Sequence, residues 1–354
     1  MTSSAWQVKQ APTVSWKSLE ALDHLHLNTS VPTPSAKDLG PKQVLVRIKA
    51  ASINARDVMV IAHDPIYPVN NIEGLSPCAD GTGEITAVGK DSAWKVGDRV
   101  LMHPLPGYTD QEAPPSLHDM HGRGAGPDMG MLRQFGIFED AELFKAPEHL
   151  SYEDVAALPA AGATAVNSLF FGPVEMKPGM TILTQGTGGV SCALIQLATA
   201  SGLTVISTSS SDAKLEIAKK LGAKHTINYK THPDWAAEAV RITDGKGVDH
   251  VLDVAGDLEA SLRAVRQGGL VSLIGFLDTG VESKVQDIFM GILFGGKIVR
   301  GVLGFNSACI EKLLQMTNEH KLVPLKEVFE WEDAKKAFER SMGYSVVGKI
   351  VIKV

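Results

Sequence analysis

The chain has 354 residues, enough for two domains of ordinary size, and 44% of them are apolar, enough for a core in each. Charged residues make up 21%, and 34 basic against 40 acidic side chains leave a formal charge of −6, so no basic surface is expected for nucleic acid or an anionic membrane. The first residues lack a basic segment followed by an apolar run, no stretch of about 18 uninterrupted apolar residues occurs, and Cys78, Cys192 and Cys309 lie far apart, so the expectation is a cytoplasmic chain without disulfides or a CxxC metal pair.

Residues 43–50 alternate apolar and polar side chains, which predicts a half-buried strand. Residues 83–89 predict a second strand ending in a turn, and 96–101 a tight turn into a third. Residues 104–130 are rich in Pro, Gly, His and Asp and read as a long surface loop. Ser151 is the expected N-cap of a helix with acids in its first turn, and the small apolar run 159–170 suits a tightly packed helix. Beyond Pro178 and Gly179, strands at 181–184, 204–208, 225–229, 248–254 and 270–274 alternate with helices at 190–201, 212–221, 233–243 and 258–265. That rhythm calls for a parallel sheet covered on both faces. The most apolar segment, 288–303, is broken only by Lys297 and Arg300 and reads either as core or as a buried interface.

The strongest motif is Gln185 followed by Gly186, Thr187, Gly188, Gly189, Val190 and Ser191. It follows a predicted strand and opens a predicted helix, as a dinucleotide fingerprint requires. Gly186 permits the tight turn, Gly188 lets backbone approach a pyrophosphate, and the helix N-terminus receives the anion. Ser191 stands at the third glycine position. An NAD site places Asp or Glu at the end of the second strand, whereas this chain has Ser209, Ser210 and Ser211 there. Asp212 reads as a helix N-cap, and Lys214 is either a cation for a 2′-phosphate or a solvated helix lysine. Hydroxyls with a cation point to NADPH.

At this point the chain resembles the medium-chain dehydrogenase/reductase superfamily, above all its zinc-free quinone-oxidoreductase branch with fungal alcohol-dehydrogenase-like relatives. The resemblance covers nearly the whole chain through ordered blocks at 52–57, 79–89, 95–100, 157–165, 185–191, 214–229 and 348–352. It implies an α/β chain with a GroES-like β-rich catalytic domain (1–160 and 307–354) and an inserted Rossmann doubly wound domain (161–306) that binds NADPH. Its quinone oxidoreductases hold the 2′-phosphate with a lysine and tyrosine spaced as Lys214 and Tyr229 are. It also implies that Thr164 faces the nicotinamide, that Val254, Gly256, Gly275, Phe276 and Leu303 line that half of the cleft, and that the protein is a homodimer paired through sheet edges.

The zinc-using cousins carry a cysteine at the place of Asn54, a His-Glu pair at Ala79 and Asp80, and a four-cysteine lobe within 104–130. Zinc needs Cys, His or carboxylate ligands, so no metal is expected here; His103, His118 and His121 are the one alternative cluster. Without a Lewis acid, an activated acceptor such as a quinone or enone is the easier substrate, and the protein must aim donors at the developing oxyanion. Asn54 is a candidate donor, or else a turn asparagine bonding its own backbone. Arg56 and Asp57 read as an ion pair bracing the loop. Tyr67, between Pro65 and Pro68, resembles the tyrosine in the substrate cleft of enoyl reductases and is a candidate proton donor, with a packing role as the alternative. Relatives often have tyrosine where Ala55 stands. The leading expectation is reduction of quinones or α,β-unsaturated carbonyls. A trans-acting enoyl or tailoring reductase of a biosynthetic pathway would use the same site, and a crystallin-like or RNA-binding NADPH protein would have lost turnover.

Overall fold

The computed structural model describes residues 2–106, 108, 122–275, 285–343 and 346–354. His118, His121 and Phe276 lie outside the described residues. The chain divides into two compact units, residues 1–160 with 305–354, and residues 161–304.

The first unit opens with an antiparallel hairpin, β1 (Thr2–Val8) on β2 (Leu25–Pro32). Then follow β3 (Gln43–Ile53), α1 (Ala55–Ile61), β4 (Asp80–Val88), β5 (Arg99–Met102), β6 (Phe135–Glu139), β7 (Leu143–Lys145) and α2 (Tyr152–Ala156). β3 alternates as expected only from Val46 to Ala50; residues 50–53 are buried throughout. The reason is packing on both faces, with Ala50 meeting Ala156, Ala157 and Val351. A buried strand end needs no polar face.

In the second unit, after α3 (Pro159–Phe170), which begins two residues before the boundary, the order is β8 (Thr181–Gln185), α4 (Gly189–Ala200), β9 (Thr204–Ser209), α5 (Asp212–Lys220), β10 (His225–Asn228), α6 (Trp235–Ile242), β11 (Val248–Asp253), α7 (Leu258–Ala264), β12 (Val265–Leu273), α8 (Val285–Gly295) and β13 (Ile298–Gly301). Six parallel strands lie in the order β10-β9-β8-β11-β12-β13. The direction of winding reverses between β8 and β11, and doubly wound sheets bind ligands outside the carboxyl ends of strands at such a point.

The chain returns to the first unit with α9 (Ser307–His320), β14 (Lys326–Phe329), α10 (Ala334–Met342) and β15 (Lys349–Lys353). β15 pairs antiparallel with β3, Ile350 opposite Ile53, and joins a seven-stranded sheet. Across the other edge of β3, Ser52 lies opposite Asp80. One end of β3 is therefore flanked by the first residues of β4 and β15, although these lie 269 positions apart.

Candidate functional site

In the nucleotide unit, Gly186 has φ +73°, the left-handed region, and Gly188 is the extended N-cap of α4. A Cβ on either would meet nothing within 4 Å, so the space before the helix N-terminus is open. Backbone N–H groups at such a helix N-terminus are able to cradle an anion. Gly189 and Val190 begin the helix, and Thr187 is buried. Ser191 fits the third glycine position because its hydroxyl turns inward and donates to the Gln185 carbonyl at 2.7 Å.

Ser209 ends β9, buried, and Ser210 follows it. β9 and β10 pair with Asn228 beside Ser209, and the Tyr229 N–H donates to the Ser209 carbonyl at 3.1 Å. Tyr229 is half-exposed and Lys214 lies in the first turn of α5. Two serines, a lysine and a tyrosine thus border one corner. Asp212 is the first helical residue rather than the N-cap, which is Ser211. Its carboxylate accepts a hydrogen bond from Asn228 Nδ2 at 2.7 Å.

Thr164 is partly buried on α3, its carbonyl accepting the Ser168 hydroxyl at 2.8 Å. Val254 follows β11, Gly256 turns the chain at φ +89°, and Gly275 backs onto Val254 so closely that a Cβ would come 2.8 Å from its carbonyl oxygen. Leu303 is half-exposed after β13.

Two residues that escaped the sequence reading, Ser261 and Asp253, meet the side chain of the motif residue Gln185. Gln185 Oε1 accepts the Ala255 N–H at 3.0 Å, and its Nε2 donates to Ser261 Oγ at 3.2 Å. Ser261 donates to Asp253 at 2.9 Å, and Asp253 accepts the Gly256 N–H at 2.7 Å. Burial pushes the Asp253 carboxyl up, against these hydrogen bonds. The network ties together the carboxyl ends of β8 and β11, on either side of the switch point. Its only sequence signal is a polar residue closing each of two apolar strands.

In the first unit, Asn54, Asp80 and Lys349 meet. The Lys349 ammonium, almost fully buried, donates to the carbonyl of Ile53 at 2.8 Å, to Asn54 Oδ1 at 2.6 Å and to Asp80 Oδ2 at 3.3 Å. Asn54 Nδ2 donates to Asp80 Oδ2 at 3.0 Å, and the other Asp80 oxygen accepts the Ala160 N–H at 3.0 Å. An ammonium accepts nothing, so the amide orientation is settled by its partners. Asn54 has its oxygen on the cation, one Nδ2 hydrogen on the carboxylate, and one more hydrogen to offer. Its backbone N–H donates to Asp57 at 2.7 Å, closing the first turn of α1. Asp57 is fully buried, which pushes its carboxyl up despite neighbouring Arg56.

Tyr67 belongs to a second group. Arg56 Nη1 donates to the Tyr67 oxygen at 3.3 Å, with the guanidinium 5.6 Å from the ring centre, and its Nη2 donates to the Arg123 carbonyl. The expected Arg56–Asp57 ion pair exists but is long, at 3.9 Å. Arg56 thus also contacts Tyr67 through both a hydrogen bond and its ring face. Asn54 and Arg56 are joined by α1, as its cap and its first turn.

A zinc ion, which the zinc-using cousins hold at these places, does not fit these side chains. Ala79 has no ligand atom, and the Lys349 cation already lies against Asp80. His103 is buried between Phe144 and Phe305, with Nδ1 accepting the Leu105 N–H at 3.0 Å; burial and Arg123 pull its pKa down to about 4. Among the described residues no group of three or more His, Cys, Asp or Glu side chains is arranged to hold a metal.

Residues 40–148 match the alcohol dehydrogenase GroES-like domain and residues 189–319 the zinc-binding dehydrogenase family model. A zinc-type alcohol dehydrogenase-like protein of Schizosaccharomyces pombe is 36% identical over 322 residues, covering 89% of this chain and 92% of that protein. A quinone oxidoreductase of Pseudomonas aeruginosa is 30% identical over 288 residues, 79% of each chain. The crystal structure of an NAD-dependent alcohol dehydrogenase matches over 100% of both chains with TM-score 0.84 and 28% identity.

Proposed function

We propose, from the premise that this chain belongs to the medium-chain dehydrogenase/reductase superfamily of oxidoreductases, that it is a zinc-independent, NADPH-dependent reductase of quinones or α,β-unsaturated carbonyls. One observation carries the reading: the Asn54 amide is locked between a buried ammonium and a carboxylate, at the position where the resemblance puts a cysteine ligand in the zinc-using cousins. The corner of Ser209, Ser210, Lys214 and Tyr229 supports NADPH, because hydroxyls and a cation suit a 2′-phosphate.

Held at the turn of residues 186–189 and beside Ser209, Lys214 and Tyr229, NADPH would supply a hydride to an electrophilic carbon conjugated to a carbonyl. Negative charge then develops on the substrate oxygen, and fixed donors lower the cost of that charge. Asn54 offers its remaining Nδ2 hydrogen, and Lys349 and Asp80 prevent the amide from turning its acceptor outward. Tyr67 supplies the proton that completes the two-electron reduction. Arg56, which can only donate, stabilises the phenolate left behind. We also propose that the molecule is a homodimer.

The test is steady-state NADPH oxidation against a panel of quinones and enones. Turnover on at least one class is expected, and Tyr67→Phe should lower kcat on an enone by about 10²-fold or more while leaving NADPH affinity unchanged. Tight NADPH binding with no turnover on any acceptor would leave a non-catalytic nucleotide-binding protein instead.

A further inference from the structure

The segment leading into the corner expected to receive the cofactor's 2′ substituent carries one carboxylate. Asp212 is the only acid from Thr204 to Leu215, and it sits at the first position of α5, three residues after Ser209. Left to point at that corner, it would repel a 2′-phosphate and accept a 2′-hydroxyl, the behaviour of an NAD site. The chain instead engages its carboxylate with a side-chain donor. Asn228, the last residue of β10, is the register partner of Ser209. Its Oδ1 accepts the Lys230 N–H at 3.0 Å, so Nδ2 is the end that faces Asp212, at 2.7 Å. The amide has no second orientation that keeps both bonds.

We propose that Asn228 is a cofactor-specificity residue. By donating to the Asp212 carboxylate at the end of β10, it fixes that group's orientation, offsets part of its charge toward a 2′-phosphate beside Ser209, Lys214 and Tyr229, and takes up an acceptor that the 2′-hydroxyl of NADH would use. The proposal rests on the NADPH reading above, but it makes a separate claim: the effect of Asn228 runs through Asp212.

A double-mutant cycle on the full chain tests it, with NADPH and NADH as probes, no acceptor present, and low salt. Dissociation constants are measured for the wild type, Asn228→Ala, Asp212→Asn and the double variant. Asn228→Ala should lower the preference for NADPH over NADH about fivefold, the size expected of one partly screened charge near a phosphate. In the Asp212→Asn background the same change should shift that ratio by less than about twofold. A fivefold loss that persists without the carboxylate would overturn the proposal, since Asn228 would then act through the Lys230 backbone. An unchanged ratio in Asn228→Ala would overturn it as well. Wild type binding NADH as tightly as NADPH would defeat the NADPH reading, and the cycle would still report whether the two side chains are coupled. Thermal melting of each variant separates a loss of fold from a loss of preference.

Discussion

Lys349 illustrates how a single buried cation organises side chains from three strand ends. Its ammonium is at most a few per cent exposed and meets Asp80, which is fully buried. Removing one partner of such a pair leaves an uncompensated charge in a medium that solvates it poorly, at a cost of about 3–5 kcal/mol. Lys349→Met should therefore lower the urea unfolding midpoint strongly, and the double change with Asp80→Asn should recover much of the loss. Equal destabilisation by the single and double variants would mean that the ion pair is not the cause. Asn54 and Tyr67 could be singled out in the sequence because each lies in a compact local block. Lys349 could not, because its partner Asn54 is 295 positions away and only the β15–β3 register brings them together. Asp57 and Arg56 were legible as neighbours, yet the contact of Arg56 with Tyr67 depends on how the chain folds back after α1.

Among elements, the βα units were the most readable, because each buried strand is a short β-branched run and each helix is bounded by small or capping residues. Their boundaries moved where tertiary pairing overrode local pattern. β12 begins at Val265, five residues before the expected start, because it pairs in parallel with β11 from Val248 onward. The N-terminal hairpin and α1 were not read at all; seven residues of α1 are too few for a clear helical period. The βα turn at the start of α4 makes the sharpest prediction at this scale. Gly188 lies outside the left-handed region, and a Cβ there meets open space, so the fold tolerates alanine. Gly188→Ala should change stability by only about 0.5 kcal/mol. The added methyl would nonetheless stand where a pyrophosphate must approach backbone, so NADPH affinity should fall roughly tenfold or more. Thermal melting and cofactor titration on the same sample check both halves. Unchanged affinity would remove this turn from the cofactor site.

For the whole molecule, the question is what covers α8. One side of this helix, through Ile288 and Ile292, packs on the nucleotide-unit core. The other side carries Val285, Phe289 and Leu293, spaced four apart, with Phe294 beside them, and each of the four is more than half exposed. A helix apolar on all sides is ordinarily buried, and a surface cluster of large side chains marks an interaction site. The neighbouring β13 ends the six-stranded sheet and leaves one of its edges without a strand among the described residues. A second copy of the chain meets both needs at once, because a two-fold axis beside β13 sets edge against edge and patch against patch. Sedimentation at micromolar concentration should therefore give a species twice the 37.8 kDa of one chain. Phe289→Glu with Leu293→Glu places two like charges on each side of that axis, where desolvation and repulsion both oppose association. The double variant should sediment as a monomer while its far-ultraviolet circular dichroism stays that of the wild type. A wild-type species of 37.8 kDa would rule the dimer out, and a variant that remains dimeric would move the interface away from α8.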